Sequence, residues 1–130
     1  MQFPQTLKTT ANELVAGCRD GRERENLDRL YAEDAVSVEA LEMPGGGREA
    51  RGRDAIRAKH DWWASTFEEL ESRADGPYLH GEDRFSVIFE AKTKNRETGE
   101  VSEMRETATY HVNDQGQIVR EEFFWSGDAA

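Results

Sequence analysis

The side chains best suited to chemistry begin in residues 57–64, RAKHDWWA, which the pattern predicts to be helical. Helical spacing places Ile56, His60, Trp63 and Phe67 on one face. An imidazole titrates near neutral pH, so a histidine among large rings is a candidate for proton transfer. The same placement is also typical of a structural histidine that is hydrogen-bonded inside the core.

The last predicted strand, at 117–126, is the second source of reactive side chains. Alternate residues of a strand share a face. One face therefore carries Val119, Glu121, Phe123 and Trp125, and the other carries Ile118, Arg120, Glu122 and Phe124. A carboxylate beside indole rings is poorly solvated, which raises its pKa towards neutrality. An imidazole facing such a carboxylate could hold it ionised or exchange a proton with it.

Three helices followed by a long run of strands must position these residues. Periodicity predicts helices at 6–20, 23–32 and 53–67. It predicts strands at 35–41, 70–80, 84–93, 102–112 and 117–126, and a glycine-rich loop at 43–52. Gly76-Pro77 predicts a kink or bulge within the second of these strands. This order predicts an α+β fold with helices on one face of a curved sheet, and a single domain over 1–130.

Composition limits the partners of the chain. It has 17 basic and 27 acidic residues, a formal net charge of −10. Such a surface repels phosphate, so we expect neither nucleic acid nor a membrane as a partner. Cys18 is the single cysteine, and no apolar run approaches the ~20 residues of a membrane span. We therefore expect a cytoplasmic protein. The three histidines are scattered, which predicts no metal site.

Three segments resemble the nuclear transport factor 2-like superfamily, within it the SnoaL-like and ketosteroid-isomerase-like branch. They are LDRLYAEDAVSVEA, RGRDAIRAKHDWW and YHVNDQGQIVREEFFW. The resemblance covers about residues 10–126. It implies an α+β cone, in which a curved mixed or antiparallel sheet wraps around N-terminal helices and encloses a pocket. It also implies a homodimer through the outer face of the sheet. Members include isomerases, cyclases, dehydratases, hydrolases and noncatalytic binding modules.

The resemblance also assigns roles to individual positions. Glu39 stands where the isomerase branch has its general base, at the end of the first strand. Leu14 and Ala108 stand where that branch has its two oxyanion donors, and neither can donate. Because one such donor is typically worth ~3 kcal/mol, their loss argues against steroid isomerisation. Phe123 replaces the acid of the SnoaL-type cyclases, and Glu121 lies two residues earlier on the same predicted face.

These observations define a candidate site for a small, largely apolar organic ligand, without a cofactor. The predicted catalytic residues are Glu39, His60 and Glu121. The predicted ligand contacts are Tyr31, Trp63, Glu106, Tyr110, Phe123 and Trp125. An enzyme with this site would isomerise, cyclise, dehydrate or hydrolyse its substrate by acid–base chemistry. The alternative is a noncatalytic module whose pocket is packed shut by its tryptophans and whose working surface is the outer sheet.

Overall fold

Six strands form one open sheet against which three helices pack. The computed structural model describes residues 2–125. The helices are α1 (Gln5–Arg19), α2 (Glu23–Leu30) and α3 (Arg53–Thr66). The strands are β1 (Tyr31–Val38), β2 (Glu49–Arg51), β3 (Phe67–His80), β4 (Arg84–Asn95), β5 (Val101–Val112) and β6 (Ile118–Trp125). None of the helices in this part of the chain is both long and apolar enough to cross a membrane.

The sheet is mixed, which confirms the predicted α+β class. Its strand order is β2-β1-β6-β5-β4-β3. β1 runs parallel to β6, and all other neighbours are antiparallel. The parallel pairing brings the first strand beside the last one. It therefore places the segment that ends in Glu39 next to the segment that contains Glu121.

The hydrophobic core lies between the helices and one face of the sheet, which we call the inner face. α1 contributes side chains at helical spacing, among them Leu7, Leu14 and Val15. On the sheet, the inner face carries Phe85, Val87, Ala108, Tyr110 and Glu121. All of these are buried. The single polar member, Glu121, therefore needs partners inside the core.

The region around β1 differs most from what periodicity predicts. β1 begins at Tyr31 and ends at Val38, not at 35–41, and a three-residue strand, β2, lies inside the predicted glycine-rich loop. β3 is continuous, and its register with β4 shifts between Asp75 and Tyr78. That shift confirms the bulge predicted at Gly76-Pro77.

Strict alternation along β6 predicts Ile118 on the outer face, and this prediction is wrong. The register between β5 and β6 shifts at His111, so that Val112 pairs with Ile118 while Tyr110 pairs with Glu121. Such a bulge inserts one residue and changes the face on which the following residues lie. Ile118 is consequently fully buried in the core.

Gly17 allows α1 and α2 to approach closely. Asn26 of α2 is buried, and its amide donates to the Leu14 carbonyl of α1 at 3.0 Å. A Cβ atom at position 17 would lie 2.1 Å from the Asn26 side-chain oxygen. Only glycine at this position leaves room for the buried amide and its hydrogen bond.

Gly17→Ala should therefore destabilise the fold. The added methyl group must displace Asn26, and loss of its buried hydrogen bond costs about 1–3 kcal/mol, partly offset by the better helix propensity of alanine. Urea denaturation measures the free energy of unfolding. In the background of Asn26→Ala, the same substitution should cost much less, because the obstructing amide is gone. Equal costs in both backgrounds would refute this account.

Candidate functional site

Glu121 is the centre of a polar network on the inner face. It is 1 % exposed. The Tyr31 hydroxyl donates to one of its carboxylate oxygens, and the Ser37 hydroxyl donates to the other at 2.6 Å. Burial and the neighbouring Glu121 charge raise the pKa of Tyr31 well above its usual value, so the phenol stays a donor. Both oxygens of Glu121 are thereby occupied.

Lys59 connects this network to α3. Its ammonium donates to the Ser37 hydroxyl and lies 3.7 Å from the Glu121 carboxylate. It also pairs with Glu39 at 2.9 Å, and it stands 5.0 Å from the centre of the Phe123 ring. The lysine side chain is only 12 % exposed. One buried cation thus joins two carboxylates and an aromatic ring.

Glu39 lies at the more open side of this network, directly after β1. Its side chain is 28 % exposed, much more than that of Glu121. Its backbone is fixed by Arg48, whose carbonyl accepts from the Glu39 N–H at 2.7 Å. The Arg48 guanidinium donates in turn to the Glu39 carbonyl at 2.8 Å. Glu39 is therefore more accessible to a ligand than Glu121.

Glu106 is a third carboxyl group of the inner face. Burial, together with the charge of Glu39, raises its pKa to about 7. Lys59 acts in the opposite direction but does not compensate fully. Near neutral pH, Glu106 is therefore divided between its protonated and ionised forms, which is the property that general acid–base groups need.

Burial weakens the basicity of His60. It lowers the pKa of the imidazole below the usual value; the Glu121 charge opposes this shift, and the Lys59 charge adds to it. Its Nδ1 atom is buried, and within residues 2–125 it has no hydrogen-bond partner. An unpaired buried nitrogen costs about 1–3 kcal/mol. A ligand hydroxyl or amine that reached this atom would recover that free energy.

The aromatic residues of the predicted site occupy different depths. Tyr110 is buried and stacks on Phe85 at 4.7 Å between ring centres. Trp63 is half-buried and packs on Phe67 at 4.5 Å. Trp125 is 39 % exposed at the end of β6, directly opposite Glu106 on β5. Of the two tryptophans, Trp125 is therefore the one that lies beside a carboxyl group of the inner face.

The positions of the missing oxyanion donors are apolar core positions. Leu14 and Ala108 are both fully buried in the core cluster. Ala108 lies directly opposite Phe123 on the sheet, so two apolar side chains face each other there. These two positions therefore belong to the hydrophobic core.

Two surface grooves lie elsewhere on the molecule. One is lined by Pro4, Thr6, Glu82, Asp83, Val112, Asn113 and Asp114, and the other by Gln5, Thr6, Thr9, Thr10, Gln115 and Gly116. They share no residue with the network around Lys59. Among the described residues, no three His, Cys, Asp or Glu side chains form a cluster that could hold a metal ion.

Lys59 and Ser37 are not among the predicted site residues. Lysine side chains usually reach solvent, so a lysine next to His60 gives no signal by its type alone. The signal that could have found it is its spacing, since Ile56, Lys59 and Trp63 fall at i, i+3 and i+7 on one helix face. Ser37 lies two residues before Glu39 on β1, so the alternation of the strand could have placed both on one face.

Comparison with protein families agrees with this architecture. The family model of the SnoaL-like domain matches residues 12–121. Comparison with curated proteins finds no significant match. The matched segment includes β1, α3 and the first half of β6, and it contains Glu39, Lys59 and Glu121.

Solved structures share the cone-shaped fold. A Mesorhizobium loti protein, provisionally assigned as a SnoaL-like polyketide cyclase, has a TM-score of 0.82 and 29% identity over 90% of this chain and 97% of its own. The Δ5-3-ketosteroid isomerase of a Mycobacterium species has a TM-score of 0.69 and 22% identity over 95% of both chains. A Mycobacterium tuberculosis protein in complex with estradiol-17β-hemisuccinate has a TM-score of 0.73 and 21% identity over 96% of this chain and 97% of its own. The last two likenesses show the fold alone.

The pKa of Glu106 predicts a pH dependence of stability. A carboxyl whose pKa rises from 4.5 to about 7 on folding stabilises the native state while it is protonated. This contribution, about 3 kcal/mol, is complete below pH 4.5 and is lost as the pH rises to about 7. Glu106→Gln should remove this decline from the free energy of unfolding between pH 5 and 8. A variant that keeps the slope of the wild type would contradict the assignment.

Proposed function

Because the chain belongs to the SnoaL-like domain family, we propose that it binds a small, largely apolar organic molecule at the inner face and moves a proton on it without a cofactor. The observation that carries the proposal is the Glu39–Lys59 pair at 2.9 Å, which joins a partly exposed carboxylate to a buried ammonium. Relatives of the same fold include a ketosteroid isomerase and a protein in complex with an estradiol derivative. They support a small-molecule ligand.

Glu39 is the base in this proposal. A carboxylate can remove a proton from the carbon next to a carbonyl group and return it to another carbon of the same molecule. Such a transfer isomerises the substrate and leaves the protein unchanged. Lys59 fixes the position of the Glu39 carboxylate, and fixed geometry supplies much of the advantage of a bound base.

Glu121 and His60 support this step in different ways. Glu121 accepts hydrogen bonds on both oxygens and lies near Lys59, so it acts as a positioning residue and not as a second base. His60 is neutral, and its free Nδ1 atom can accept a hydrogen bond or a proton from a substrate hydroxyl.

The remaining predicted residues bind the ligand in this proposal. Trp63, Phe123 and Trp125 provide apolar rings at the border of the network. Glu106 provides the polar contact. Tyr31 and Tyr110 are buried in the core and support the site indirectly. Tyr31 does so through its hydrogen bond to Glu121.

One observation favours a noncatalytic role as a second candidate. The network around Glu121 is satisfied by Tyr31, Ser37 and Lys59 without any ligand. A satisfied buried network can serve to specify one packing of the core and need not react. In that case the chain would be an interaction module.

We also propose that two copies associate through the outer face of the sheet. Tyr78 and Phe124 are about half exposed there. The register places Ile88 and Thr107 in the same row as Phe124, so two apolar side chains flank the Thr107 side chain in this row. Clustered exposed apolar groups are typical of interfaces.

The role of Glu39 is testable by isotope exchange. Wild-type protein should accelerate deuterium incorporation next to the carbonyl of cyclic ketones in D2O, measured by proton NMR. Glu39→Gln should slow this exchange by about 100-fold or more, because it removes the base. Glu33→Gln is the matched control, since Glu33 is an exposed glutamate of β1. It changes the net charge equally and should leave the rate unchanged.

Equal rates in the Glu39 and Glu33 variants would refute Glu39 as the base. Ketones that raise the melting temperature of the wild type without any accelerated exchange would favour the noncatalytic candidate.

The dimer is testable by light scattering after gel filtration. The wild type should run at about twice the chain mass of 14.8 kDa. Phe124→Glu should yield monomers, because it places a charge in the apolar row. Glu103→Gln, at an exposed position of β5, should not. A wild-type monomer at high micromolar concentration would rule out this interface.

A further inference from the structure

We propose that the ligand of this site carries a protonated amine, which binds between the Glu106 carboxylate and the Trp125 indole. This inference rests on the proposed function and names the chemical class of its ligand. It follows from the charges of the inner face and from an aromatic ring beside a carboxyl group, an arrangement that occurs twice along β6.

The charges of the inner face do not balance. Glu39, Glu106 and Glu121 are three carboxyl groups, and Lys59 is the ammonium that they share. Lys59 pairs with Glu39 at 2.9 Å and lies 3.7 Å from Glu121. Within residues 2–125, no nitrogen of Lys, Arg or His lies within 4.0 Å of the Glu106 carboxylate. When Glu106 is ionised, its charge has no direct counterion on this part of the chain.

The inner face already holds one cation against a ring. The Lys59 ammonium lies 5.0 Å from the centre of the Phe123 ring, with the carboxylates of Glu39 and Glu121 beside it. Aromatic faces attract ammonium groups at this distance. A ring flanked by carboxylates is therefore a combination that binds a cation in this protein.

An aromatic ring beside a carboxyl group recurs two residues further along β6, where residues 2–125 place no Lys, Arg or His nitrogen within 4.0 Å of the carboxylate. Trp125 lies directly opposite Glu106 in the β5–β6 pairing. Directly opposite residues point to the same face, with Cβ atoms about 4.5–5.5 Å apart. Tryptophan is the side chain that attracts cations most strongly, and this one is 39 % exposed, so a ligand can reach it.

Other ligand charges fit this position less well. An anion would meet Glu106, Glu39 and Glu121 at a site of low solvation, where like charges repel strongly. A neutral polar group would leave the ionised form of Glu106 uncompensated. An organic ammonium compensates that form, and its apolar substituents can pack on Trp63 and Trp125.

A matched set of probes tests the inference. They are 2-phenylethylamine, 2-phenylethanol and 3-phenylpropionate, whose polar ends are positive, neutral and negative. Tryptophan fluorescence and titration calorimetry at pH 8, where Glu106 is mostly ionised, measure the dissociation constants. The amine should bind at least about tenfold more tightly than the alcohol, and the carboxylate should bind more weakly than both.

Two variants with the same charge change locate the effect. Glu106→Gln should lower the affinity for the amine about tenfold, to the level of the alcohol. It should leave the affinity for the alcohol unchanged. Glu103→Gln lies at an exposed position of the same strand and should leave all three affinities within about twofold. Trp125→Leu should lower the affinity for the amine more than the affinity for the alcohol. Circular dichroism and the melting temperature verify that each variant is folded.

The outcomes separate this inference from the proposed function. Equal affinities of amine and alcohol for the wild type would overturn the inference, while binding of both would still support a small-molecule site. An amine preference that survives in Glu106→Gln would also overturn it. A preference that Glu106→Gln abolishes, in a protein that exchanges no ketone protons, would support the inference and remove the proposed catalysis. Failure of all three probes to bind the wild type would overturn the inference.

Discussion

The rest of the site depends on the burial of one carboxylate, Glu121. An ionised carboxylate without partners in a protein interior costs several kcal/mol. Its partners come from two other elements, the Tyr31 and Ser37 hydroxyls of β1 and the Lys59 ammonium of α3. The parallel pairing of β1 and β6 sets Ser37 directly beside Glu121. A displacement of β1 or α3 would break these contacts, so this charge couples the relative positions of three elements.

Compensation of charge is uneven across the inner face. Glu121 accepts hydrogen bonds on both oxygens, and Glu39 is paired but partly exposed. Glu106 is desolvated, and the described residues give it no direct counterion. These differences follow from the distance of each carboxyl group from Lys59 and from solvent. When burial raises the pKa of a carboxyl group, ionisation of that group lowers the stability of the protein. Proteins accept such costs mainly where they bind or react.

Much of the fold followed from the sequence, because it depends on local periodicity. The three helices and the strands of the sheet lie near their predicted positions, and the face of β5 that carries Glu106 and Tyr110 was predicted correctly. β2 was not predicted because three residues beside a run of glycines are too few to show the alternation of a strand. Ile118 was misplaced because alternation does not reveal a bulge. The sequence separation of Tyr31 and Glu121, ninety residues, explains why their hydrogen bond was not predicted.

The lysine that the sequence analysis missed resolves a difficulty of the proposed chemistry. Leu14 and Ala108 cannot donate hydrogen bonds to the oxyanion that forms when a proton is removed next to a carbonyl group. Before that step, the charge of Lys59 is shared between Glu39 and Glu121. When Glu39 accepts the proton it becomes neutral, and the pair with Lys59 loses its attraction. In the proposed mechanism, the ammonium is then released for the oxyanion at the moment when that charge forms. The proposed base and the proposed stabilising cation are thus one ion pair, and proton transfer would switch the partner of the cation.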